Sequence, residues 1–362
     1  MITRSKPFAG FTLIESLVVI VIITIVIALF LPAVMVVREA TRKTQCANNM
    51  KQMGLAIHNL VSAHGSFPTG GWGSWTDYRL ENGKPATPNE QKVGWMYQIL
   101  PYHELGNLYY RYERPEREPV EIYFCPSRRD ITKAPGPETR YLNDYASATP
   151  GYLTTNPLFG HKRFAYPNLA DTFWQKWDAD PPQFPHNGRD GGTNPNTFWG
   201  GIIVRGSWNG KKHIKGTIHS ARPRSILDGA SNTLMLGEKR IGTNFESGPA
   251  VGSGDGYQGG EWHDDRGWTD GWDVDIVRST AFPLQADSDT TPVHVSLGIP
   301  ESQILPPGAH ALDETPLGYC FGSAHAGGMN GCMGDGSVRF LAYSIEQQIF
   351  AGLGDRAGGE PN

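Results

Sequence analysis

His325 and Asp335 stand ten positions apart, with a glycine-rich stretch between them (Ala326-Gly327-Gly328-Met329-Asn330-Gly331-Cys332-Met333-Gly334). If that stretch folds back, the imidazole can donate to the carboxylate, a bond that fixes the ring's tautomer. The pattern predicts a structural His325–Asp335 pair inside a C-terminal hairpin; a metal-binding or proton-transferring pair is the chemical alternative. No serine or cysteine stands in a nucleophile-elbow context, so no catalytic set assembles and the chain is not expected to be an enzyme.

Two other groups of residues have the right types for chemistry. Between Glu261 and Asp275 the carboxylates of Asp264, Asp265, Asp270, Asp273 and Asp275 crowd together. Calcium takes six to eight oxygens from acidic loops of this kind. The spacing is not that of an EF-hand, so a solvated acidic loop is the expectation. No cofactor is expected, with calcium the sole candidate. Of the four cysteines, Cys46 and Cys125 could staple a helix to the body, a bridge worth about 2–4 kcal/mol. Cys320 and Cys332 could close a second, smaller ring. Four cysteines allow three pairings, with free buried thiols as the alternative. The lack of C-x2-C spacing argues against zinc. Trp72, Trp75, Trp95, Trp199, Trp208, Trp262, Trp268 and Trp272 are expected mostly as core or loop anchors. Exposed, they would be platforms for a glycan or protein ligand.

The elements that must position these residues divide the chain sharply. Ser16 to Val37 carries no charge over 22 residues, enough for a helix to cross a bilayer core of about 30 Å. Before it lies a short basic segment with Arg4 and Lys6, whose retention in the cytoplasm would put the body outside; Arg38, Arg42 and Lys43 on the far side, offset only by Glu39, leave the orientation open on charge alone. The apolar run is too long for a secretory signal peptide, and no small-x-small cleavage site follows it promptly. Glu15 sits just inside the run, where a carboxylate costs about 2.5–3.5 kcal/mol on insertion scales. An acid in that position has to serve something. Beyond the run, Cys46, Met50, Met53, Ile57 and Leu60 recur at helical spacing, so the helix continues until Gly65 and Pro68 stop it.

After residue 64 the chain breaks into short apolar runs (95–102, 201–204, 233–236, 337–341) that favour strands. Asp335-Gly336 predicts a type I′ hairpin turn. Residues 145–200 and 241–315 read as long loops or insertions. Charged residues make up only 19%, with 44 glycines and 27 prolines, which points to a loop-rich, strand-containing body. The net charge of −4 excludes a basic nucleic-acid footprint.

Gly10-Phe11-Thr12-Leu13-Ile14-Glu15 resembles the processing signal of type IV prepilins and type II secretion pseudopilins. The resemblance implies cleavage after Gly10 by a prepilin peptidase and methylation of the new N-terminal Phe11. It also implies pairing of Glu15 with the Phe11 amine of a neighbouring pilin or pseudopilin subunit, and Pro32 matches the proline many pilins carry late in the span. Further phrases resemble the prepilin-like family of domain of unknown function 1559: residues 45–52, Phe67-Pro68, Phe124-Cys125-Pro126-Ser127, residues 226–234, and an H-x9-DG ending from His325 to Gly336. The expected architecture is therefore α+β and pilin-like, a long membrane-spanning helix packed on a loop-rich antiparallel β body. Its segments are a leader (1–10), a transmembrane assembly helix (11–37), its extramembrane continuation (38–64) and a globular domain (65–362). The expected role is a structural subunit of a pilus or secretion pseudopilus, held by a single pass in the inner membrane with its body in the periplasm or at the cell surface. An export-anchored binding module is the second reading.

Overall fold

The computed structural model describes residues 12–73, 78–111, 115–134, 140–150, 200–208, 213, 219–243, 264, 267–289 and 316–357. Gly10, Phe11, Trp75, Trp199, Trp262 and Asp265 lie outside them, as do most of the stretches read as insertions.

Helix α1 runs unbroken from Leu13 to His64, 52 residues or roughly 78 Å, and passes through Pro32. It ends where Gly65 takes a left-handed conformation (φ 74°) and donates its amide to the Val61 carbonyl. Its two halves live in different surroundings. Leu13 to Val37 is exposed along its length, with mean hydropathy 3.3 in its most apolar window. From Cys46 onward one face is buried, and Cys46, Met50, Met53, Ile57 and Leu60 are each 0% exposed. The 3.6-residue period of the sequence is thus the docking stripe.

That stripe lies against a five-stranded sheet. Its strands are β1 (Tyr145–Thr149), β2 (Leu234–Glu238), β3 (Val277–Ser279), β4 (Gly328–Met333) and β5 (Val338–Ala342). The order is β5-β4-β2-β1-β3, antiparallel except for the β1–β3 pair, which is parallel. The expected all-antiparallel body therefore gains a parallel edge strand. Methionines and aromatics fill the α1 side of the sheet. Ala146, Ala148, Leu234, Met329 and Phe321 face the other way, where α3 (Gln347–Leu353) covers them with Phe350.

Three local expectations change. Residues 95–102 form not a strand but a short helix α2 (Trp95–Gln98) followed by a 3-10 turn (Leu100–His103). Burial of the run on all sides removes the alternation that separates strand from helix. Strands β1 and β3 arise inside stretches read as loops, because Tyr-Ala-Ser-Ala-Thr pairs on both edges without carrying large side chains. The β4–β5 hairpin forms where Asp335-Gly336 marks it, yet with a three-residue loop rather than a two-residue type I′ turn. The Gly336 amide donates to Met333 O (2.8 Å) and only Gly336 has positive φ (78°), the arrangement of a type I turn closed by a G1 bulge.

Helix and hairpin meet closely at Gly54. A Cβ there would come 2.9 Å from Cys332 Sγ and 3.6 Å from Gly336 Cα. We expect Gly54→Val to destabilise the body by about 1–3 kcal/mol through overpacking, read as a lower denaturant midpoint with unchanged m-value. An unchanged midpoint would mean that the helix is not seated as described.

Candidate metal centre and assembly helix

Four side chains from four distant segments converge under the membrane-proximal part of the docked helix. Cys46 comes from α1, Cys125 from the turn after a 3-10 segment (Glu121–Tyr123), Glu238 from the end of β2 and His325 from the loop before β4. Their donor atoms all lie within 4.8 Å of one another, and all four residues are buried. His325 Nε2 is 3.2 Å from Glu238 Oε1 and 3.7 Å from Cys125 Sγ; Cys125 Sγ is 3.8 Å from Glu238 Oε1.

Three of the four members are held by further groups. His325 Nδ1 lies 2.8 Å from Glu39 Oε1. An ionised carboxylate only accepts, so Nδ1 carries a proton, and Nε2 is the ring atom that faces the cluster, beside the Glu238 carboxylate. Glu39 is itself held by Arg42 (2.9 Å) and by the Ser127 hydroxyl (3.0 Å). The Asn330 amide donates to Glu238 Oε2 (2.8 Å), and the Cys125 amide donates to Asp144 Oδ2 (2.8 Å). Without a cation, burial lowers the proton affinity of His325, but its contacts with Cys125 and Glu238 outweigh that and hold it up at about 10. The Cys125 thiol is pushed far up by its contact with Cys46, by burial and by Glu238.

Behind the cluster lies a buried ionic network. Arg128 pairs with Asp287 (2.7 Å) and Asp144 (3.4 Å), and Arg129 with Asp144 (2.8 Å) and Asp264 (2.5 Å). Lys239 reaches Asp264 at 2.8 Å and Asp275 at 3.7 Å. The network fixes Cys125 from one side and, through Lys239, Glu238 from the other.

These positions revise the sequence expectations. His325 and Asp335 do not pair: Asp335 Oδ1 accepts from the Ser337 amide (2.8 Å) and hydroxyl (2.6 Å) at the hairpin turn. β4 carries the two residues apart, His325 at its start and Asp335 past its end. Neither expected disulfide is formed, and Cys46, Cys125, Cys320 and Cys332 are buried thiols. The acidic stretch is not a solvated loop, since Asp264, Asp270, Asp273 and Asp275 are all buried. Asp264 faces two cations, which does not fit a calcium ligand at that residue. Asp270 accepts from the Gly271 amide and Asp273 from the Asp275 amide. Trp95, Trp268 and Trp272 are fully buried core. Sequence reasoning missed Glu238 and Glu39. The signals were there: an acid closing the apolar run Leu234-Met235-Leu236-Gly237, and an acid seven residues before Cys46 on the same helical face.

At the other end of α1, Thr12 and Glu15 form a capping box. Glu15 Oε2 accepts from the Thr12 amide (2.8 Å) and hydroxyl (2.7 Å), while Thr12 Oγ1 accepts from the Glu15 amide. The carboxylate is thereby held at the helix N-terminus, beside Phe11 in sequence.

A long apolar helix, exposed over its first half and docked on an α+β body over its second, defines a membrane-anchored, pilin-like protein. Residues 5–31 match the prokaryotic N-terminal methylation motif. Residues 35–348 match the family described as a protein of unknown function, DUF1559, and the chain belongs to that family. It is similar to the type II secretion system core protein G of Pseudomonas aeruginosa, 29% identical over 120 residues that make up 33% of this chain and 84% of that protein. No solved structure matches the chain.

Proposed function

We propose that this protein is a pseudopilin-like structural subunit. A prepilin peptidase cuts between Gly10 and Phe11 and methylates Phe11, and the mature chain joins other pilin or pseudopilin subunits through its N-terminal helix. The helix crosses the inner membrane once, and the body stands on the periplasmic side or, after assembly, at the surface. The body performs no catalysis in this role. The observation that carries the reading is the division of α1: Leu13–Val37 packs against nothing among the described residues, while the stripe from Cys46 fixes the same rigid helix to the body. A monomer has no use for a bare apolar rod once it leaves lipid, whereas a filament core is built from such rods side by side.

Co-expression with a prepilin peptidase tests the first step. Intact and peptide mass spectrometry should show a chain beginning at N-methyl-Phe11. An uncleaved leader, or a cut after the apolar run near residue 33, would count decisively against this role.

A further inference from the structure

The cluster of Cys46, Cys125, Glu238 and His325 has the composition and shape of a closed tetrahedral metal site. We propose that it binds a zinc ion that clamps the docked half of α1 to the body. The proposal is independent of filament assembly.

Geometry is the first argument. Zinc bonds of about 2.3 Å to sulfur and 2.0–2.2 Å to nitrogen or oxygen give tetrahedral edges of roughly 3.3–3.8 Å. The three contacts of Cys125, Glu238 and His325 are 3.2, 3.7 and 3.8 Å, and the fourth donor, Cys46 Sγ, keeps within the 4.8 Å span. Three of these side chains thus already stand at about ligand-to-ligand separation.

The supporting groups are the second argument. A zinc-bound histidine characteristically gives its other N–H to a carboxylate, which fixes the tautomer and strengthens the ligand. Glu39 occupies that place on His325. The Asn330 amide orients the ligating carboxylate of Glu238, and Asp144 holds the Cys125 backbone. Hydrogen bonding among the four side chains alone would not require three of them to be aimed in this way.

Donor chemistry selects the ion. Two sulfurs, an imidazole and one carboxylate suit zinc rather than calcium or magnesium, which prefer oxygen. With four protein ligands and burial, no position is left open for water or substrate, the mark of a structural site. Binding forms two Zn–S, one Zn–N and one Zn–O bond, releases the two thiol protons and the Nε2 proton of His325 to solvent and requires no change of oxidation state. Residues 46, 125, 238 and 325 would then be tied at one point, so the ion would hold the helix to the turn after Tyr123, to β2 and to the loop before β4 together.

The test uses the full-length chain, purified in detergent under reducing conditions and supplied with zinc. Elemental analysis should give about one zinc per chain after exhaustive buffer exchange. Cobalt(II) in its place should give tetrahedral d–d bands with thiolate-to-cobalt charge transfer. A chelator present through the thermal ramp should lower the unfolding midpoint by roughly 10 °C or more. Cys125→Ser should lose the zinc, and Cys320→Ser should keep it. Reduced wild-type protein that stays metal-free with four alkylatable thiols would overturn the proposal. So would a metal-free native protein two hydrogens lighter with a Cys46–Cys125 cross-linked peptide, or zinc retained by Cys125→Ser. The wild-type measurements decide even if that variant does not fold.

Discussion

Glu15→Ala should be cleaved and methylated normally yet fail to enter filaments, with incorporation falling by about two to three orders of magnitude. Among the described residues Glu15 is bonded to Thr12 alone, so its removal costs part of a helix cap and leaves the body untouched. In an assembled core of apolar helices the new amine of Phe11 has no water. Stripped of its partner, a buried charge costs about 3–5 kcal/mol, which is that many decades in an association constant divided by 1.4. Glu15→Gln should fail similarly, since an amide can accept a hydrogen bond but does not neutralise an ammonium. The measurement is the ratio of variant to wild-type subunit in sheared, pelleted filaments, with the processed N-terminus verified by mass spectrometry. Wild-type incorporation of Glu15→Ala would sink the pairing role while leaving processing intact.

Arg128→Met should be the most damaging single change in the body, destabilising it by about 3–5 kcal/mol. The guanidinium is fully buried, pairs with Asp287 and Asp144, and donates to the carbonyls of Asp144, Lys239 and Gly322. Methionine fills a similar volume but removes the cation facing Asp287, leaves Asp144 to Arg129, and takes a donor from three carbonyls in a dry interior. Arg128→Lys should rescue little, because a single ammonium cannot span the fork of acceptors. Chemical denaturation of the detergent-solubilised protein reads the loss; a change below about 1 kcal/mol would show that water reaches the site. The same network sets an acid limit. Burial pushes Asp264 up, but Arg129 and Lys239 outweigh it and hold the carboxyl well below its usual range. A depressed folded-state value contributes stability that is complete above the unfolded value, near pH 4, and is lost as pH falls through the folded one. Stability should therefore decline below about pH 4.

Much of the helix was legible because its signals are local. Twenty-two uncharged residues, the stripe from Cys46 to Leu60 and the Gly65 stop each act within a few turns, and the structure places them where the spacing does. The hairpin at Asp335-Gly336 was legible for the same reason, although its loop is one residue longer than two-residue chemistry predicts. Strand β1 was not, since Tyr145-Ala146-Ser147-Ala148-Thr149 has little side-chain signal and owes its place to partners at 236–238 and 277–279.

The buried centre divides along the same line. Sequence alone supplied Cys46 on the docking face, Cys125 before a proline and a conspicuous His325; it set Cys46 beside Cys125, though as a disulfide rather than as two thiols near Glu238, and it wrongly paired the histidine with Asp335. Periodicity reports which way a side chain points along its own element and says nothing of which distant element it meets. Only the packing of α1 across β2 and β4 brings residues 39, 46, 125, 238 and 325 to one point. The amino-acid sequence determined the methylation motif and the apolar half of α1, through residues 5 to 37 acting over short range. Tertiary structure alone decided that two thiols, an imidazole and a carboxylate share one dry pocket, because their proximity is set by sheet order and helix docking rather than by spacing.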